Sequence, residues 1–106
     1  MTVVEAKLIE TTSVPTLASI APYRQALIVH TYEVERVVSG ECKEPRLLVA
    51  HWAIVGGKTL PPDKRKGETY ALTLEPYSRH KELEGERLVM AVDDLTLPLF
   101  YDVGRE

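Results

Sequence analysis

The stretch most suggestive of chemistry is Ile54-Val55-Gly56-Gly57-Lys58-Thr59, an apolar run ending in Gly-Gly-Lys-Thr. A phosphate-binding loop ends this way: one glycine, four residues, then Gly-Lys-Ser/Thr, so that successive backbone N–H groups wrap a phosphate ahead of a helix. With Gly57-Lys58-Thr59 as the anchor, the first glycine falls on Trp52, and the helix that should follow meets Leu60-Pro61-Pro62. Proline lacks the N–H a helix needs and pushes the residue before it toward extended geometry. Both halves of the motif fail. Gly56-Gly57 reads instead as a two-residue hairpin turn in which glycine supplies positive φ.

Metal chemistry would start from the histidines, His30, His51 and His80. His30 and His51 lie on faces that otherwise read apolar and could meet across neighbouring strands. A zinc or copper site there would need a third ligand, and Cys42, Asp93 and Asp102 are the candidates. No two of these ligands have the short spacing of a recognisable site. The expectation is a hydrogen-bonded core histidine at each position and no cofactor, with a His30/His51 metal site as the alternative. His80, next to Lys81 on a polar turn, is expected at the surface.

Catalytic sets are thin. Ser13, Ser19, Ser39 and Ser78 lack the flanking glycines of a nucleophile elbow. Cys42 sits among Glu41, Lys43 and Glu44, a setting that disfavours a thiolate. Glu33 and Glu35 read as the solvated side of a strand, and Asp93-Asp94 as a turn. No nucleophile, base and oxyanion donor come together, so the chain is not expected to be an enzyme and no catalytic residue is assigned.

The one concentration of charge is Lys58 with Lys64-Arg65-Lys66. With Trp52 as a stacking platform, joined by Tyr23, Tyr32, Tyr70 or Tyr77, these residues could hold a single-stranded oligonucleotide or an anionic polysaccharide. Against that stand a net charge of −3, an aromatic content of 7%, and Glu33, Glu35 and Glu75 where a phosphate chain would run. A short charge run is more commonly a solvated loop.

These candidates need elements to hold them, and the chain supplies strands. Its 106 residues make one domain, 1–106, and 44% hydrophobic with 27% charged residues is the balance of an ordinary soluble globular protein. No apolar run approaches the roughly 20 residues of a membrane-spanning helix. The start, Met1-Thr2-Val3-Val4-Glu5, has no signal-peptide pattern. That reads as cytoplasmic at face value, and as secreted or periplasmic if the natural chain carries a leader. A single cysteine excludes an internal disulfide framework.

Period-two alternation dominates. Val4, Ala6 and Leu8 mark a first strand. Residues 11–23 hold Pro15 and Pro22 around one helical turn, with Ser13 as the expected cap. Residues 25–39 form a long run in which Ile28, His30, Tyr32 and Val34 share a face. The pattern blurs near Arg36, as in a strand that bends, bulges or divides in two. Residues 46–55 are apolar on both faces, as in a strand covered on both sides. Residues 60–67 are a loop, and 68–75 a strand with Tyr70, Leu72 and Leu74 inward. Residues 78–85 read as one helical turn from Ser78 to Gly85, 87–92 as a further strand, and 95–103 as a last extended piece. Five or six strands without a long helix must close or stack to bury their inner faces. The expected fold is all-β, a five- to six-stranded OB-like barrel with one or two short helical turns.

Residues 32–40 (Tyr-Glu-Val-Glu-Arg-Val-Val-Ser-Gly), the apolar Leu47-Leu48-Val49-Ala50 and Lys66-Gly67-Glu68-Thr69-Tyr70-Ala71-Leu72 add a family pattern. Over residues 3–75 the chain resembles OB-like barrels similar to the netrin-like and tissue-inhibitor-of-metalloproteinase domains and their small bacterial relatives. Their N-terminal cysteine and disulfides are missing, so proteinase inhibition is not implied. The tail around Leu83-Glu84-Gly85 and Pro98-Leu99-Phe100-Tyr101 looks like bacterial domains of this size. The resemblance implies no activity; the expected role of the chain is a non-enzymatic binding or interaction module in a secreted or envelope-associated assembly. Its expected partner is a protein or a second copy of itself, with nucleic acid or an anionic glycan as the alternative.

Overall fold

The computed structural model describes residues 2–60 and 64–103. Met1, the Pro61-Pro62-Asp63 part of the basic loop and residues 104–106 lie outside the described residues.

Strand β1 (Thr2–Glu10) is followed by a single helical turn, α1 (Leu17–Ile20), and the long β2 (Ala26–Ser39). Then come β3 (Arg46–Val55), the two-residue β4 (Lys58–Thr59) and β5 (Thr69–Pro76). Two 3-10 turns (Tyr77–Arg79 and Lys81–Leu83) lead to β6 (Arg87–Met90) and β7 (Leu99–Asp102). The helical turn begins later than Ser13 and Pro15 suggest: Thr16 caps it, its side chain accepting from the Ser19 N–H. Residues 78–85 divide into two short turns with no side-chain cap, so Ser78 does not act as one.

Pairing runs β1–β2, β2–β3, β3–β7, β7–β5 and β5–β1, which closes a five-stranded barrel. Within this circle every pairing is antiparallel except β3–β7. This order is compatible with an OB-like barrel. Strands β4 and β6 lie outside the closed circle, as a hairpin partner of β3 and a parallel neighbour of β2.

Alternation decides the two faces. Val4, Ala6, Leu8, Tyr32, Leu47, Val49, Leu72 and Leu74 fill the barrel interior, with Phe100 and Tyr70 packed against them. Leu27, Val29, Leu48 and Ala50 point outward from β2 and β3 yet are buried. They lie beneath Tyr77, Leu83, Leu88, Val92 and Leu97. Residues 77–97 thus form a strap across the outer face of β2, β3 and β7, which is why residues 46–55 are apolar on both sides.

The run 25–39 is one strand. Its blurred end is explained by register: Ala6 faces Val34 but Glu5 faces Arg36, and Val4 faces Val37 but Val3 faces Ser39. Glu35 and Val38 are therefore extra residues, two bulges that reset the alternation and bend the strand. The bend separates Glu33 from Glu35. Glu33 pairs with Arg46 at 3.6 Å, whereas Glu35 accepts from the Thr69 hydroxyl at 2.8 Å.

Gly56 and Gly57 form the expected hairpin turn, with φ of 58° and 82° and Val55 facing Lys58. A Cβ on Gly56 would meet nothing within 4 Å, whereas one on Gly57 would stand 2.2 Å from the Arg24 guanidinium. That side chain can swing aside, so the cost of Gly57→Ala is set by backbone strain, roughly 1–2 kcal/mol. Gly56→Asn is expected to be tolerated, since asparagine visits this region. Thermal melts of the two variants check the contrast.

Candidate functional site

Three arrangements of polar or aromatic side chains stand out, and each has a different relation to solvent.

The first is inside the barrel. His30 and Tyr32 alternate onto the inner face of β2, His51 onto that of β3, and Asp102 onto that of β7. The Tyr32 hydroxyl lies 2.8 Å from His51 Nε2, and His51 Nδ1 lies 3.0 Å from Asp102 Oδ2. A carboxylate only accepts, so His51 donates from Nδ1 and takes the Tyr32 O–H at Nε2. His30 and His51 do meet across β2 and β3, their ring centroids 5.3 Å apart. His30 Nδ1 accepts from the Thr12 N–H at 3.1 Å. Asp102, a candidate third metal ligand by sequence, reaches His51 as a hydrogen-bond acceptor. Among the described residues no group of three His, Cys, Asp or Glu side chains is placed to hold a metal ion.

A hydroxyl, an imidazole and a carboxylate in a row are the parts of a proton relay. Tyr32 is 0% exposed, and the His51 and Asp102 side chains are 11% and 9% exposed. The chain satisfies polar groups within an apolar barrel.

The second arrangement is the basic loop. Lys64 Nζ stands 4.9 Å from the Tyr70 ring centroid, and the Arg65 N–H donates to the Tyr70 hydroxyl at 2.6 Å. Strand directions bring the ends of β1 and β3 and the starts of β2 and β5 to one end of the barrel. Arg24 and Lys58 lie at the Gly56-Gly57 turn, where the Gly57 N–H donates to the Arg24 carbonyl, whereas Lys64-Arg65-Lys66 lead into the turn that meets Leu8 and Glu68. Lys66 acts on Glu10, whose carboxyl is held below its usual range chiefly by the Asp93 backbone N–H, with Thr31 and Lys66 adding to it.

Trp52 is not with these cations. It is half-buried on the outer face, its indole N–H donating to the Tyr101 hydroxyl at 2.8 Å. Of the other aromatics, Tyr32 is interior, Tyr77 lies in the strap, Tyr70 is beside Lys64 and Tyr23 is exposed. Among the described residues Trp52 and Tyr77 pack on one outer cluster, apart from interior Tyr32 and from Tyr70 beside Lys64.

The third arrangement is around His80, and it corrects the surface placement expected from sequence. The His80 side chain is only 15% exposed. Its Nε2 lies 2.7 Å from Glu75 and its Nδ1 2.8 Å from Glu82, while its ring meets Tyr101 edge-on at 4.8 Å. No periodic signal predicts this, because Glu75, His80, Glu82 and Tyr101 belong to a strand end, a turn pair and a distant strand. Cys42 donates weakly to the Glu44 carbonyl at 3.6 Å and packs against the interior cluster.

No helix among the described residues is long and apolar enough to cross a membrane. No family model, curated protein or solved structure matches the chain.

Proposed function

We infer that the protein is a non-enzymatic binding module that engages a protein partner at the far end of β2. One observation carries this reading. The long strand leaves two stretches of edge uncovered, and only one is repaired. Where β1 has ended, residues 26–29 are paired by β6 instead. Beyond Glu33, where β3 pairing stops, no strand among the described residues takes that edge of 35–39. These five residues are all exposed, and Val37 and Val38 put apolar side chains at the surface. An open strand edge is a template for an extended segment of another chain. The bulges at Glu35 and Val38 work against flat pairing of two copies, which favours a different partner over self-association.

The test is a photo-crosslinking residue at position 38 in the cells of origin, with one at the exposed Glu84 as control. One dominant adduct from 38, absent from 84 and lost in Val37→Lys, supports the reading. Adducts identical at both positions, or none at 38, overturn it, and an adduct of two copies replaces it with self-association.

A second reading, binding of a single-stranded oligonucleotide or anionic glycan through Lys58 and Lys64-Arg65-Lys66, is favoured by that concentration of charge in the sequence. Its sign is binding of a labelled oligonucleotide that weakens steeply with salt. Kinship with netrin-like and metalloproteinase-inhibitor-like barrels, and a place in a secreted or envelope-associated assembly, belong to the proposal. What supports them is the closed barrel and the Tyr32–Gly40 and Gly67–Leu72 patterns.

A further inference from the structure

Residues 77–97 cover the outer face of the barrel, and their two ends are fastened differently. At the far end the fastening is made by a hydroxyl, a carboxylate and backbone groups. The Thr12 hydroxyl donates to the Val29 carbonyl and accepts from the Ala91 N–H at 3.0 Å. Glu10 accepts from the Thr31 hydroxyl and from the Asp93 N–H at 2.9 Å. Four parallel pairs between β2 and β6 reinforce that end. At the near end the strap is two single 3-10 turns with no capping side chain; Tyr77 and Leu83 pack on the barrel, and His80 makes the side-chain hydrogen bond to Glu75 of β5.

We propose that residues 77–83 act as a pH-sensitive latch, with His80 clasped between Glu75 of β5 and Glu82 of its own turn holding the strap closed over Trp52 and Tyr101. This goes beyond the binding reading and does not depend on it. The chemistry follows from the proton count. Both neighbours of the ring are carboxylates, which only accept, so the clasp uses an N–H on each ring nitrogen, that is, the imidazolium. When the proton leaves, the ring keeps one N–H and turns a lone pair toward the other carboxylate. One arm of the clasp becomes repulsive. Glu82, with its side chain 66% exposed, is free to turn to water, whereas Glu75 is 29% exposed.

The groups facing His80 are Glu75 from β5, Glu82 from the second turn, Tyr101 from β7 and Tyr77 from the first turn, whose carbonyl accepts the His80 backbone N–H. The hydrogen bond to Glu82 holds the imidazolium above its ordinary range, with burial opposing and Glu75 adding to the rise. Burial, with Glu86 and Tyr101, keeps the Tyr77 phenol neutral to higher pH still. A raised histidine contributes fully below its unfolded value, about 6.5. That contribution is lost as pH rises through the higher folded value. Glu82, held low by its bond from His80, gives the acid limit. Its share is complete above its unfolded value, about 4.3, and is lost as pH falls through the folded one. The latch therefore holds most tightly in mildly acidic solution and slackens toward alkaline pH.

Trp52 is the single tryptophan, and it is bonded to the same Tyr101 ring that His80 touches. Acrylamide quenching of its fluorescence between about pH 5.5 and about pH 8.5 reads the latch directly. Quenching is expected to rise across one transition in the natural protein. In His80→Gln it should be pH-independent at the open level, and in Glu82→Gln the midpoint should move to lower pH. A flat natural profile overturns the proposal. So does a transition that survives in His80→Gln, because it would then belong to another group. Should His80→Gln lose its far-ultraviolet dichroism, the surface variant Glu82→Gln decides alone, and an unmoved midpoint overturns the latch.

Discussion

Leu47→Ala is expected to destabilise the barrel by about 2–5 kcal/mol, the cost of truncating a fully buried leucine in a packed core. Leu47 is 0% exposed, faces Tyr32 across β2 and β3, and packs in the interior cluster with Leu8, Val49 and Leu74. A closed barrel cannot collapse onto the missing methyl groups by moving one strand, because every barrel strand is paired on both sides. Part of the cavity therefore persists and adds to the lost transfer energy. Urea denaturation checks this, with the midpoint falling and the slope unchanged. Val38→Ala, at a position 49% exposed, should stay within about 0.5 kcal/mol. A Leu47→Ala loss below about 1 kcal/mol would mean the interior is not close-packed.

His51→Leu should cost nearly as much, roughly 2–4 kcal/mol, through hydrogen bonding instead of volume. The substitution takes a donor from Asp102 and an acceptor from Tyr32 at once. The two ends of the His51–Asp102 pair are only 11% and 9% exposed, so water replaces the lost partner poorly. Removing both ends of a buried pair is less damaging than removing one. His51→Leu combined with Asp102→Leu should accordingly lose less than the sum of the two single changes. Denaturation of the four proteins in a double-mutant cycle measures that coupling. Strict additivity would show that the 3.0 Å contact carries no energy. Tyr32→Phe, which leaves His51 and Asp102 bonded, should cost about 1 kcal/mol.

Much of this architecture was legible from period-two alternation, because a face that must be buried declares itself every second residue. Tyr70, Leu72 and Leu74 point inward as their spacing requires, and Ile28, His30, Tyr32 and Val34 share a face. The Gly56-Gly57 turn was readable because a two-residue hairpin demands positive φ. Legibility ends where alternation does. The bulges at Glu35 and Val38 depend on how β1 pairs, which no local pattern encodes, so Glu33 and Glu35 read as one solvated face and make two separate contacts. The last strand begins only at Leu99, since Leu95 and Leu97 belong to the strap's end and not to a ladder. His80 looked exposed because its sequence neighbours are charged, while the groups that enclose it come from β5 and β7. Cysteine, serine and glycine spacing gave no catalytic set, and the one relay-like chain depends on β7 meeting β3, a pairing of residues about fifty positions apart.

That pairing also bears on the order in which the molecule can be completed. Chains emerge and fold from the N-terminal side first. Strands β1, β2 and β3 can form a meander, and β5 can join the free edge of β1, before β7 has been made. Until then the sheet is an open ribbon with β3 and β5 as unpaired margins, and His51 lacks the carboxylate that will orient it. Docking of β7 removes both margins and delivers Asp102 in one step. A ribbon that closed in a shifted register would leave His51 without that carboxylate, so correct closure and the His51–Asp102 bond come together.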